Sequence, residues 1–156
     1  MIGSRNVRAG LVLLAVGLLG GLALSLYAFH PVVQPPAGLA NYDDLPRRLL
    51  RLAHVAAVML PLINIVVGPW IDRLDLSPAG KQWSSTLLIG GAAGLPLALG
   101  MEAVVPALRP LHPSGLPAVG FIAGAVLMAV GAVRGLPPAA AEETAVSRRR
   151  KVQAEA

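Results

Sequence analysis

Residues 52–71 read LAHVAAVMLPLINIVVGPWI, an unbroken run without Asp, Glu, Lys or Arg. About 20 residues of helix cross the hydrocarbon core of a bilayer, so a run of this length and composition reads as a membrane span. Working outward from it, residues 9–42, 82–101 and 110–133 lack the same four residue types. Backbone amides inside a membrane have no water to bond, and a helix satisfies them within one segment. The pattern therefore predicts an all-α integral membrane four-helix bundle, multi-pass, with spans at about 8–29, 48–70, 82–105 and 115–134. Residues 1–136 form one membrane domain, and 137–156 read as a polar, basic tail.

Composition agrees. Of the 156 residues 55% are hydrophobic and 13% charged, against about a quarter charged in a soluble domain. Four spans and their loops leave no room for a second folded domain. The chain has no cysteine, which excludes disulfides, thiolate catalysis and cysteine-ligated clusters. The net charge of +5 is better read as asymmetry across a membrane than as a nucleic-acid signal, since aromatics, which stack bases, are only 4%. Lipid, and other membrane subunits, are the expected partners. The apolar run from Ala9 to Phe29 exceeds the core of a cleaved signal peptide, so the first span is expected to stay as an anchor.

Loop charges predict the orientation. Nine Lys and Arg fall on the side of the N-terminus, the 71–81 turn and the tail, and four on the other. The excess belongs in the cytoplasm, so both termini are expected there. Against that trend, Arg47, Arg48 and Arg51 cluster on the outer side. Asp43 and Asp44 lie four residues before Arg47 and Arg48, a spacing that pairs charges on a helix. An anionic ligand at the outer surface is the other explanation for the cluster.

Two ionisable residues lie inside spans, where they are costly and tend to be functional. His54 is near the outer end of span 2 and Glu102 near the outer end of span 3, while His30 and His112 lie in the outer loops. His54, Ala57, Pro61, Asn64 and Gly68 share one helix stripe, and Gly91, Gly94, Ala98 and Glu102 share another. Stripes that mix small and polar residues face other helices. The expected polar site is therefore His54, Glu102 and Asn64, with His54 and Glu102 close enough to hydrogen-bond. No sequence pattern for a phosphate loop, zinc protease or hydrolase occurs, so the leading reading is a non-catalytic accessory or interaction subunit. A second is haem or metal binding for electron transfer, with His54, His30 and His112 as ligands and Arg47, Arg48 and Arg51 facing the anionic groups. A third is a small transporter or proton-handling protein.

Overall fold

The computed structural model describes residues 1–28, 34 and 38–135, apart from the side chains of residues 27 and 28. His30 and the 137–156 tail, with its Arg148–Lys151 run, lie outside the described residues. Four helices follow in chain order: α1 (Ile2–Ala28), α2 (Leu45–Ile71), α3 (Pro78–Val104) and α4 (Gly115–Gly135), with a 3-10 turn, Pro106–Leu111, leading into α4. All four helices are long and apolar enough to cross a membrane. Among the described residues there is no strand. The fold is an all-α four-helix bundle with the make-up of a small multi-pass membrane protein. One end of the bundle carries the N-terminus and the α2–α3 turn (the turn end). The other carries residues 38–44 and 105–114 (the loop end).

Three helices start earlier than hydropathy predicts, and in α1 and α3 side-chain caps outside the apolar core set the start. α1 begins at Ile2 because the Asp72 carboxylate accepts the backbone N–H groups of Ile2 and Gly3 at 3.1 and 3.2 Å. Those N–H groups have no partner within the helix, and a carboxylate there also meets the positive end of the helix dipole. α3 begins at Pro78, where the Ser77 hydroxyl accepts from Gly80 N–H. α2 begins at Leu45 with Asp44 at the N-cap position and Pro46 in the first turn, but the Asp44 side chain accepts from Asn41 N–H, outside the helix.

Consecutive helices pack side by side, α1 also touches α3, and α3 is the main helical neighbour of α4. Small residues form the seams. Gly3, Gly10 and Gly17 recur every seven residues along α1. An added Cβ on them would strike the carbonyls of Gly68, Pro61 and Ala57 on α2, and one on Gly21 would strike the His54 ring. The predicted His54–Ala57–Pro61–Asn64–Gly68 stripe is thus the face of α2 that meets α1. The α3 stripe faces elsewhere: a Cβ on Gly91 or Gly94 would meet Pro117 or Phe121 of α4. Leu18, Leu19 and Leu22 on α1, and Val119, Ile122 and Val126 on α4, point outward and are exposed. Trp70 and Trp83, also exposed, flank the α2–α3 turn.

Candidate functional site

The two stripes decide where the predicted site residues go. His54 lies on the α1-facing side of α2 and Glu102 on the α4-facing side of α3. Both are near the loop end, but the expected bond between them is not made: Glu102 bonds elsewhere. Glu102 is buried, and its Oε1 accepts the backbone N–H of Ser114 at 2.9 Å, just ahead of α4. It serves α4 as Asp72 serves α1. Arg109 completes this corner by donating from Nε and Nη2 to the carbonyl oxygens of Glu102 and Ala103, at the negative end of α3. His112 ends the 3-10 turn in the left-handed conformation, with φ 45°, and is exposed.

Asn64, the third residue of the predicted site, belongs to a separate centre nearer the turn end. Its Oδ1 accepts from Asn6 Nδ2 at 2.7 Å, and its Nδ2 donates to the Leu60 and Leu88 carbonyls, each at 3.2 Å. The Ser85 hydroxyl donates to Asn6 Oδ1. Arg5 Nη2 donates to Ser85 Oγ and Thr86 Oγ1 at 3.1 and 2.8 Å. Asn6, Asn64 and Ser85 are fully buried. This network ties α1, α2 and α3 together and leaves its amides satisfied, which is how buried polar groups avoid a desolvation penalty. Asn6 escapes the hydropathy reading because that reading starts span 1 at residue 8. The signal for it is the Gly3–Asn6–Gly10 spacing, which continues the small-residue seam. Between His54 and Asn64 the stripe holds Ala57 and Pro61, so apolar packing separates the two centres.

His54 remains. Its Nδ1 is buried and, among the described residues, has no hydrogen-bond partner. Counted along α2 at 1.5 Å per residue, it sits about 13 Å in from the first residue of the helix. Its ring lies against Gly21 and forms part of the wall of two cavities. One, of about 370 Å³, is lined by Val16, Gly17 and Gly20 of α1, Ala57 of α2 and Ala92 and Pro96 of α3, among others. The other, of about 350 Å³, lies toward the loop end and is lined by Gly21, Ser25, Leu39, Tyr42, Arg47 and Arg51, among others. His54, Leu24 and Leu50 line both. Each volume falls in the range of small-molecule sites.

The arginine cluster divides by task. Arg47 Nη1 donates to the carbonyls of Leu39 and Ala40 at 3.3 and 3.0 Å, holding the chain that enters α2. Arg51 lies over the Tyr42 ring, 3.7 Å from its centroid, a cation–π contact that leaves the N–H edges of the guanidinium available. Arg48 is exposed. Asp44, expected to pair with Arg48, instead binds Asn41. Among the described residues no three His, Cys, Asp or Glu side chains cluster as a metal site, and His30, one of the predicted ligands, lies outside them. Compared with family models, with curated proteins and with solved structures, the chain matches none.

Proposed function

We propose that this is a small, non-catalytic accessory protein of a membrane, with both termini cytoplasmic, whose loop-end pocket around His54 holds a ligand in the outer leaflet. The observation that carries the reading is the buried, unpartnered Nδ1 of His54 beside two cavities. A buried polar atom without a partner costs about 1–3 kcal/mol, and a turn of the ring that brings it to a ligand in either cavity recovers that loss. The other polar side chains set between the helices support the reading by contrast: Asn6, Asn64, Ser84, Ser85 and Glu102 all have partners in the bundle. The exposed apolar faces of α1 and α4 suit lipid or another membrane subunit. The cytoplasmic placement of the termini rests on the excess of Lys and Arg at the turn end.

The test is to purify the full chain in mild detergent, extract what it carries, and repeat with His54→Ala. A small molecule that co-purifies with the wild type and is lost in the variant supports the pocket. If bound material and thermal stability are both unchanged in the variant, His54 is not part of a site. The orphaned imidazole beside Arg47 and Arg51 also favours a second reading, haem ligation with His54 as one axial ligand and the arginines on the propionates. A Soret band in the wild type that disappears in His54→Ala selects that reading.

A further inference from the structure

Four charged side chains at helix ends have clear structural tasks. Asp72 caps α1, the Lys81 ammonium donates to the Asp72 carbonyl at the end of α2, Arg109 closes α3 and Glu102 caps α4. Arg51 has a stacking partner, Tyr42, but among the described residues none of its N–H groups makes a hydrogen bond. It lines the loop-end cavity together with Arg47, Tyr42 and His54, and among the described residues no Asp or Glu lines either cavity. The cavity toward the loop end therefore has a cationic wall. The cavity behind it is lined by aliphatic residues and glycine apart from His54, and runs along the seam of α1, α2 and α3.

We propose that this pair of cavities binds a long-chain carboxylate, one molecule per chain. The proposal rests on reading the pocket as a ligand site and adds what the ligand is. The head lies on Arg51, the alkyl tail lies along Val16, Gly20, Ala92 and Pro96, and His54, which lines both cavities, stands between the two. Charge complementarity selects the head. A guanidinium presents two parallel N–H groups that match the two oxygens of a carboxylate. Stacking on Tyr42 holds the plane of that fork without using those N–H groups. One such fork suits a singly charged head better than a phosphate, which calls for several cations. The glycines make room for the tail: Gly20 and Gly100 line the inner cavity, and a Cβ on either would meet nothing within 4 Å.

The experiment uses the full chain, delipidated in a non-ionic detergent, and three sixteen-carbon probes: hexadecanoate, hexadecanol and hexadecylphosphocholine. Binding is read by native mass spectrometry and by the shift in thermal unfolding. Hexadecanoate is expected to bind at least about tenfold more tightly than the neutral and zwitterionic probes, the scale of one charge-assisted hydrogen-bonded contact. Arg51→Gln brings hexadecanoate down to the level of hexadecanol. Gly20→Leu, which fills the inner cavity at an open position, weakens every probe that binds. Equal binding of all three probes, still lost in Gly20→Leu, overturns the carboxylate head but keeps the ligand pocket. No binding of any probe to the wild type overturns the long-chain ligand, and His54-dependent co-purification of another molecule would then still uphold the pocket. Tighter binding of a hexadecyl phosphate overturns the choice of head group. If Arg51→Gln does not fold, the comparison of head groups on the wild type decides.

Discussion

At the scale of single residues, the charges of this chain mostly terminate helices. Asp72 and Glu102 lie far apart in sequence, yet each places a carboxylate at the start of a different helix. Replacing Asp72 with Ala is expected to lower stability by about 1 kcal/mol, the usual worth of an N-cap, and to speed hydrogen exchange at residues 2–6 while leaving the middle of α1 protected. Glu102 gives a sharper contrast. Glu102→Gln keeps an oxygen that can accept from Ser114, so most of the stability should remain. Glu102→Ala removes the acceptor and should cost about 1–2 kcal/mol. Thermal unfolding in detergent separates the two. A large loss with Gln would mean that the charge itself matters, and would reopen a functional role for this residue. In the centre nearer the turn end, a double-mutant cycle on Asn6 and Asn64 should give a coupling of about 0.6 kcal/mol, typical of polar pairs between membrane helices. A coupling of zero would contradict the bond between them.

At the scale of elements, the helices are specified by their seams. Without a hydrophobic force between helices in lipid, close packing of small residues holds them together. Gly17 lies against the Ala57 carbonyl with no space for a side chain, whereas Gly20 faces open space. Gly17→Val should therefore destabilise the α1–α2 pair by about 1–3 kcal/mol, the cost of overpacking. Gly20→Ala should be neutral or stabilise by up to about 1 kcal/mol through helix propensity. If the two variants unfold at the same temperature, the α1–α2 seam is not where the structure has it. The same reasoning accounts for α4. Gly124 lies against the Ser84 carbonyl and the side chains of Leu87 and Leu88, and the Ser84 hydroxyl donates to the Gly124 carbonyl at 2.9 Å. The Gly120-x-x-x-Gly124 motif is therefore used within the chain, against α3.

At the scale of the whole molecule, the bundle places both polar loops of the loop end on one side and the α2–α3 turn on the other. The absence of cysteine makes orientation directly measurable. A single cysteine at Ser77, in the α2–α3 turn, should react with a membrane-impermeant maleimide only from the cytoplasmic side. One at Asn41 should react only from the opposite side. The reverse pattern would invert the proposed topology and move the His54 pocket to the inner leaflet.

Span number, helical class and the inward stripe of α2 were legible in the sequence, because uncharged length and the spacing of small residues are local properties. That His54 and Glu102 lie toward the same end of the bundle was legible too, since antiparallel neighbours bring the start of one helix beside the end of the next. Their partners were not. Which face of α3 meets α2 and which meets α4 depends on the rotation of each helix about its own axis. That rotation is set jointly by the Gly10–Pro61, Gly17–Ala57 and Gly91–Pro117 approaches, which lie far apart in sequence. Tertiary packing alone therefore assigned Glu102 to the start of α4 and Asn64 to Asn6. It also left the His54 imidazole beside a cavity with Arg51 at its wall.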